Sequence, residues 1–377
     1  MKILVGNNHL AKTGGTENYT YALAIELKRQ GHDVEYFTFE KGEVSSLLEA
    51  QGVPFMSADS YDLILANHGT VIDKLWTCGY IIQTCHGSIP ALEQPSPLAD
   101  AYVAVSEEVR NHLLALGYES TVIPNGIDCN RFSPKAPVSQ TLTTVLSLCQ
   151  SDVANDFIKK CCEQAGVQFL QSNKFTDNVW SVEDTINKSD LVVGLGRSAY
   201  DAMACGRCVL VYDYREYMGE FLGDGMLTPE SIGKSMTCNC SGRASRLKYD
   251  ERSFIQEMQK YSPELAAWGR EYALEHLNIE AAVGKYMDIS VCRTKENATA
   301  KKYLWDMIVQ SRKREEEAIA AGKRQKALTD EIQQRMESTI QECAAKGQKH
   351  LRVIRLLFWL NIVLILILVV IVLNMFL

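Results

Sequence analysis

The C-terminal end of the chain carries an apolar segment that limits what this part of the sequence can form. Residues 356–377, LLFWLNIVLILILVVIVLNMFL, include no charged side chain. At about 1.5 Å per residue such a helix reaches roughly 33 Å, which matches a hydrocarbon core of about 30 Å. We therefore predict that residues 353–377 form one transmembrane helix that anchors the chain in a membrane.

Basic residues stand just before this segment, at Lys346, Lys349, Arg352 and Arg355. Positive flanks stay on the cytoplasmic side of a membrane. The N-terminal residues, MKILVGNN, become polar too soon for a secretory signal. We expect a tail-anchored, single-pass protein whose body lies on the cytoplasmic side.

Residues 293–352 are rich in Glu, Lys, Ala and Gln and predict a charged helical stalk. An apolar stripe recurs at helical spacing at Leu328, Ile332, Met336, Ile340 and Cys343. The stripe is typical of a coiled coil that forms a homodimer, or of a solvated stalk. Because the pattern covers fewer than three heptads, it favours the solvated stalk.

The overall composition excludes some classes of function. The formal net charge is -7, which argues against a general nucleic-acid-binding protein because such proteins need a basic surface. The 12 cysteines are scattered through apolar runs rather than spaced as a disulfide framework.

Strand patterns alternate with helical patterns through the body of the chain. The first series is KILVG, VEYFTF, DLILAN, YIIQTCHG and AYVAVS, and the second is TTVLSLC, VQFLQ, LVVGLG and CVLVYD. Alternation of this kind predicts an α/β fold with parallel sheets covered on both faces. We predict two doubly wound, Rossmann-like lobes, residues 1–137 and 138–292, with a cleft between them.

Polar residues follow several predicted strands of the first lobe. They form the groups Gly14-Gly15, Asn67-His68-Gly69, Cys85-His86-Gly87 and Ser106-Glu107. Ligands of doubly wound sheets bind at the carboxyl ends of strands. These groups therefore predict one binding site at that edge of the sheet.

Three segments resemble glycosyltransferase family 4, which has the two-lobed GT-B fold. They are GGTENYTYALAIELKRQGHDVEYFT, VAVSEEVRNHLLALGY with VIPNGIDCNRFSP, and SDLVVGLGRSAYDAMACGRCVLVYD. The resemblance covers about residues 1–290. It implies a divergent, retaining glycosyltransferase that moves a sugar from a nucleotide sugar to an acceptor without an obligatory cofactor or metal. The donor is then expected mainly on the second lobe and the acceptor on the first.

The resemblance and the local chemistry together indicate a donor site in the second lobe. Gly194 and Gly196 bring bare backbone to a helix start, where a diphosphate is favoured, with Ser198 in the same turn. Arg197 is expected to neutralise charge on the departing nucleotide, and Asp201 to accept hydrogen bonds from ribose or sugar hydroxyls.

In the first lobe, Gly14 and Gly15 would let backbone approach the donor phosphate or the reacting sugar. His86 follows a strand where the family often has a histidine that faces the reaction centre. The catalytic candidates are His86, Arg197 and Asp201. The candidates for the acceptor side of the cleft are Glu17, Ser106 and Asn125.

The chain departs from the family at positions that normally contact the donor. Val193 and Asp201 stand where the family usually has two glutamates, and Gln150 and Ser151 where it commonly has Arg and Lys. These departures leave an alternative open, in which the body is a degenerate GT-B module that binds a nucleotide or glycan, or acts as a membrane scaffold, without catalysis.

Two further expectations concern metals and acceptors. A zinc site of Cys205, Cys208, Cys238 and Cys240 is disfavoured because the second pair has only one intervening residue. A membrane anchor favours a lipid-linked or membrane-proximal acceptor, because confinement raises its effective concentration. Assembly of glycans or cell-surface polysaccharide fits that acceptor, and a protein acceptor stays open.

Overall fold

The computed structural model describes residues 1–172, 180–216, 218–291, 298–345 and 351–374. The chain divides into two compact units, Met1–Lys301 and Lys302–Leu377. The first unit contains both lobes, and the second contains most of the long C-terminal helices.

The strands of the first lobe are β1 (Lys2–Gly6), β2 (His9–Leu10), β3 (Asp33–Phe37), β4 (Glu40–Lys41), β5 (Tyr61–Ala66), β6 (Gly79–Cys85), β7 (Ala101–Ala104) and β8 (Thr121–Val122). This lobe is built on a six-stranded parallel sheet in the order β3-β1-β5-β6-β7-β8, beside a two-stranded ribbon of β2 and β4. Its helices are α1 (Gly15–Arg29), α2 (Glu43–Ala50), α3 (Gly69–Leu75) and α4 (Glu107–Ala115), with a 3-10 turn at Ala91–Glu93.

The second lobe is built on a five-stranded sheet in the order β10-β9-β11-β12-β13. Its strands are β9 (Thr144–Ser147), β10 (Gln168–Gln171), β11 (Leu191–Gly194), β12 (Cys208–Arg215) and β13 (Glu220–Met226). The helices that follow the linker are α5 (Asp152–Ala165), α6 (Val182–Ile186), α7 (Arg197–Ala204), α8 (Ile232–Met236), α9 (Glu251–Met258), α10 (Pro263–His276) and α11 (Ile279–Val291).

Both sheets have the central strands that the apolar runs predict. Residues 3–5 of β1 are fully buried, as expected for a parallel strand that helices cover on both faces. In α1, Tyr19, Leu23 and Leu27 recur every four residues and bury one face of the helix in the first core. The first strand of each sheet lies inside the sheet, with β1 between β3 and β5 and β9 between β10 and β11. The strand order reverses at these positions, so a crevice opens at the carboxyl ends of the strands.

The structure also contains elements that the sequence patterns did not indicate. Strand β13 runs antiparallel to β12 at the sheet edge. Its sequence, EFLGDGM, carries two glycines and lacks a Val/Ile run, so it gives no strand signal. Helix α11, assigned from sequence to the second lobe, packs through Ile279, Val283 and Tyr286 into the core of the first.

The chain crosses between the lobes twice, and the two crossings pair with each other. The Ile127 N–H donates to the Leu277 carbonyl (2.7 Å), and the Ile279 N–H donates to the Ile127 carbonyl (2.9 Å). Gly126 lies against the start of α11 at this point. A second contact joins the lobes where Arg243 donates from Nε to Glu108 Oε1 (2.8 Å).

The Cys205-Gly-Arg-Cys208 segment is a structural feature of the second lobe. Cys205 and Cys208 are buried in its core, and Arg207 Nη2 donates to the Ala136 carbonyl and to Asn187 Oδ1, both at 2.9 Å. Within the described ranges, no group of three or more His, Cys, Asp or Glu side chains is placed to hold a metal ion.

The C-terminal helices are α12 (Ala298–Ala345) and α13 (Leu351–Asn374). Among the residues that the structure describes, no helix combines the length and apolar character needed to cross a membrane. The predicted anchor, residues 353–377, is not confirmed, and its last three residues lie outside the described ranges. The side chain of Cys343 in the predicted stripe, and those of the basic residues 346–355, also lie outside the described part.

We predict that Gly126→Ala destabilises the protein. A Cβ at this position would lie 2.6 Å from Ile279 Cδ1 and 2.9 Å from Ile279 Cα, so the interlobe crossing would have to move. Overpacking of this kind costs about 1–3 kcal/mol. Chemical denaturation measures the loss.

The matched control is Gly284→Ala in α11, where no atom lies within 4 Å of an added Cβ. Alanine in a helix interior should stabilise that variant by about 0.5–1 kcal/mol. Equal stability of the Gly126→Ala variant and the parent would show that the crossing tolerates a side chain.

Candidate functional site

A cavity of about 740 Å³ opens between the lobes, at the carboxyl ends of the first sheet. Its wall comes from the first lobe, the linker and two residues of the second lobe. The lining residues are His9, Lys12, Thr13, Gly14, Gly15, Thr16, Glu17, His68, His86, Pro90, Ala91, Leu92, Glu93, Asn125, Arg197 and Asn239. The cavity therefore combines cations, carboxylates and histidines at the crevice where doubly wound sheets bind ligands.

The N-terminus of α1 forms one wall of the cavity. Gly14 is the N-cap, and an added Cβ there would lie 2.2 Å from Glu17 Oε2, so glycine leaves room for that carboxylate. Glu17 Oε1 accepts hydrogen bonds from Thr16 Oγ1 (3.1 Å) and lies 3.0 Å from His9 Nδ1. The Glu17 carboxylate therefore lies at the start of α1. An added Cβ at the neighbouring Gly15 would meet no atom within 4 Å.

His86 is oriented by a chain of hydrogen bonds. Asn67 Nδ2 donates to Thr20 Oγ1 (2.8 Å), so Asn67 Oδ1 is the acceptor for His86 Nε2 at 3.1 Å. The ring packs edge-on against Tyr19, with centroids 5.2 Å apart. Tyr19 in turn donates to the Tyr286 hydroxyl (2.8 Å), which links His86 to helix α11.

The electrostatic surroundings keep His86 neutral. Burial, with smaller contributions from His68 and Arg197, lowers the pKa of His86 to about 3, against an opposing effect of the Asn125 side chain. With Nε2 donating to Asn67, Nδ1 carries the lone pair and is the acceptor of the ring. His86 can therefore accept a hydrogen bond from a hydroxyl at neutral pH.

His68 is a second neutral histidine in the wall. The Asn8 N–H donates to His68 Nδ1 (3.1 Å), so Nε2 carries the proton. Burial and the nearby His9 lower the pKa of His68 to about 4. This ring presents a donor, whereas His86 presents an acceptor.

Arg197 is the cation that the second lobe contributes. It stands at the first position of α7, and its Nη1 donates to the Gly126 carbonyl in the linker (3.3 Å). Its Nε lies 3.5 Å from Asp201 Oδ1. Among the described residues Nη2 has no hydrogen-bond partner, so a donor is left for an anionic ligand.

Asp201 lies behind Arg197 rather than in the cavity wall. Its residue is 4% exposed, and its Oδ1 has no hydrogen-bond partner among the described residues. Burial raises the pKa of Asp201 to about 6, although Arg197 and Arg131 oppose the shift. Its contact in this structure is with Arg197.

Three more of the residues predicted for the donor, Gly194, Gly196 and Ser198, lie outside the lining of the cavity, and so does Ser106, which was predicted for the acceptor side. The Gly196 N–H donates to the Cys240 carbonyl (2.8 Å), and Gly196 has a φ of 56°, which favours glycine. An added Cβ at Gly194 would lie 3.2 Å from Ser198 Cβ, so glycine there permits close helix packing. Ser106 caps α4 by accepting from the Val109 N–H.

The structure therefore brings six of the sequence candidates together and leaves five outside the cavity lining. The six are Gly14, Gly15, Glu17, His86, Asn125 and Arg197. The five are Ser106, Gly194, Gly196, Ser198 and Asp201.

Sequence patterns missed several residues of the wall. Glu93 lies in the 3-10 turn that follows β6, and Asn239 lies in a loop of the second lobe with a φ of 56°. His9 lies in a two-residue strand, and Lys12 in the loop before α1. None of these four residues belongs to a periodic pattern. Only Glu93 could have been predicted from sequence, because it follows the strand end at His86-Gly87 by a few residues.

Glu93 is a carboxylate without a protein partner. Among the described residues, it has no hydrogen bond or ion pair. Burial, and to a smaller extent the charge of Glu17, raise the pKa of Glu93 to about 7. The site thus holds a carboxyl group that changes charge near neutral pH.

Solved structures of the Anabaena protein Alr3699/HepE share this architecture. Its complex with UDP and glucose aligns with a TM-score of 0.53 at 16% identity, over 78% of this chain and 100% of that chain. Its complexes with UDP-glucose and with UDP give TM-scores of 0.52 and 0.51, also at 16% identity, over 76% and 77% of this chain and 99% of the other.

The chain has a GT-B-like fold. At 16% identity the similarity to HepE shows the fold alone. No protein-family model matches the chain, and no curated protein matches it in sequence. The GT-B-like fold accounts for the position of the cavity between two Rossmann-like lobes.

We predict that Glu93→Gln gains stability relative to the parent as the pH rises. The pKa of Glu93 is about 4.5 in the unfolded chain and about 7 in the fold. Below pH 4.5 the carboxyl is protonated in both states, so it adds no pH-dependent difference in stability between parent and variant. Between these values the folded parent pays an increasing cost for the half-buried charge, which reaches at most about 3 kcal/mol before solvent screening reduces it.

Thermal unfolding of both proteins between pH 4.5 and 8 measures this difference. The control is Glu119→Gln, which removes an exposed loop carboxylate of the same lobe. A flat difference for Glu93→Gln would show that the Glu93 carboxyl titrates normally.

Proposed function

We propose that the protein is a glycosyltransferase that transfers a sugar from a nucleotide sugar, with UDP-sugars as the first donors to test. The observation that carries the proposal is the shared cavity, in which Arg197 of the second lobe faces the Gly14-Gly15 helix start and His86 of the first. The HepE complexes with UDP and UDP-glucose support this donor class.

The chemistry of the wall fits the two halves of such a donor. Arg197 and Lys12 favour phosphate oxygens through their charge, and the start of α1 adds the positive end of its dipole. His86 and Glu17 suit the hydroxyls of the donor sugar. Arg197 is thereby proposed to stabilise charge on the departing nucleoside diphosphate, with Asp201 holding its guanidinium in place.

Val193 and Asp201 stand in the second lobe where family 4 usually has two glutamates, and this difference supports the alternative of a non-catalytic module. Val193 is fully buried inside β11 and offers no polar group to a sugar. Conversion of a nucleotide sugar separates the alternatives, because a scaffold binds a nucleotide without turning the nucleotide sugar over. Family 4-like descent and retention of configuration are part of the proposal for the enzyme.

The acceptor and the location are proposed together. A single C-terminal membrane helix with the body on the cytoplasmic side would confine the enzyme beside a lipid-linked or other membrane-proximal acceptor, in the assembly of glycans or cell-surface polysaccharide. The charge-free run in residues 356–377 supports the anchor. Dimerisation through the stalk stays a prediction.

We predict that Arg197→Ala weakens UDP binding by about 10–100-fold, because a hydrogen bond to a charged group contributes about 1.5–3 kcal/mol. Arg197→Lys should retain part of the affinity. Calorimetric titration of the full chain with UDP measures the dissociation constant, and release of UDP from UDP-sugars measures turnover.

The control is Arg110→Ala, whose side chain forms an exposed pair with Glu107 on α4. Unchanged UDP affinity in the Arg197→Ala variant would exclude Arg197 as the phosphate ligand. UDP binding by the parent without turnover of any nucleotide sugar would favour the non-catalytic module.

For the location, we predict that removal of residues 353–377 releases the protein from membranes. The full chain should stay in the membrane pellet after alkaline carbonate extraction, because that treatment removes peripheral proteins but not a spanning helix. A full chain that alkaline carbonate extracts would contradict the anchor.

A further inference from the structure

Resting on the proposed function, we infer that Glu93 binds a hydroxyl of the acceptor and that the acceptor is a glycoside with an apolar aglycone held by Leu92. The inference stands on one loop, residues 86–94, which follows β6 and forms a wall of the cavity. This loop places a carboxylate and apolar side chains next to each other.

The loop is built to leave space for the Glu93 carboxylate. An added Cβ at Gly87 would lie 2.5 Å from Glu93 Oε2 and 3.3 Å from Pro90 Cδ. Glycine at this position therefore leaves room for the carboxylate beside the backbone of residue 87. The position of the carboxylate depends on the local backbone of this loop.

Gln94, the residue after Glu93, fixes the loop to the first lobe. Gln83 Nε2 donates to the Gln94 carbonyl (2.8 Å), and His112 Nε2 lies 2.7 Å from Gln94 Oε1. Gln94 Nε2 donates to the Pro90 carbonyl (3.0 Å). These contacts hold the turn that carries Glu93, although Glu93 itself has no partner among the described residues.

A second acceptor lies in the same cavity. Asn125 is only 6% exposed, lines the cavity, and interacts through its side chain with the His86 ring. Glu93 and Asn125 thus place two oxygen acceptors in one cavity, and sugar hydroxyls can donate to both.

The apolar half of the inference comes from the rim. Leu92 is 38% exposed and lines the cavity together with Pro90 and Ala91. Removal of these apolar surfaces from water by an apolar group of the ligand is favourable. Because Leu92 and Glu93 both line the cavity, one ligand that carries a hydroxyl group and an apolar group can contact both.

The test compares two probes, methyl and hexyl β-D-glucopyranoside, the latter below its micelle concentration. Ligand-observed NMR with the full chain in saturating UDP measures both dissociation constants. Hexyl glucoside should bind at least about tenfold tighter than methyl glucoside, since each buried methylene adds about fourfold in affinity. Leu92→Ser should reduce this preference, whereas Leu114→Ser, an exposed leucine on α4, should leave it unchanged.

Glu93→Gln should weaken both glucosides by about tenfold, because the neutral amide accepts a weaker hydrogen bond than a carboxylate. Glu93→Asp should recover part of the loss, and Glu119→Gln should have no effect. UDP affinity should be unchanged in every variant of this set, which separates acceptor binding from donor binding.

Equal affinity for the two glucosides, or no binding of either, overturns the inference. Unchanged glucoside binding in a folded Glu93→Gln variant overturns the role of Glu93. If the parent binds UDP but shows none of the glucoside effects, the inference fails and the donor proposal stands. If the glucoside pattern appears without UDP binding, the acceptor site stands and the proposed donor fails.

Discussion

The pairing of the two interlobe crossings at Ile127 and the Leu277–Ile279 segment determines how the lobes meet, and the cavity depends on it. The pairing brings α11 back onto the first lobe, where Tyr286 hydrogen-bonds Tyr19 beneath His86. It also places the Gly126 carbonyl where Arg197 donates to it. A shift at this crossing would move the cation of one lobe relative to the histidine of the other.

Burial at the cavity gives its titratable groups distinct charge states at neutral pH. Desolvation keeps His68 and His86 neutral, and it raises the pKa of Glu93. The Arg197 guanidinium lies beside the Asp201 carboxyl. The site therefore offers one fixed cation for an anionic leaving group, neutral rings for hydroxyls, and one carboxyl that responds to pH.

Part of the site was predictable from sequence because strand ends in a parallel sheet share one edge. Gly14-Gly15 and His86 follow predicted strands, and Arg197 follows another, so their convergence required only the fold class. Glu93 and Asn239 lie in irregular segments, where no periodicity reports which way a side chain points. For Asp201, helical spacing gave the correct neighbour, Arg197, but did not show that Phe132, Arg131 and Glu183 enclose this face of α7.

Local sequence determined the central strands, the main helices and the two-lobed α/β class, because apolar periodicity and glycine placement act over a few residues. Tertiary structure alone decided which lobe receives α11, that β13 closes the second sheet antiparallel, and which polar groups stay without partners. These outcomes depend on contacts between residues far apart in the chain, such as Tyr19 with Tyr286 and Gly126 with Ile279. Their energies arise only once both lobes have folded and met.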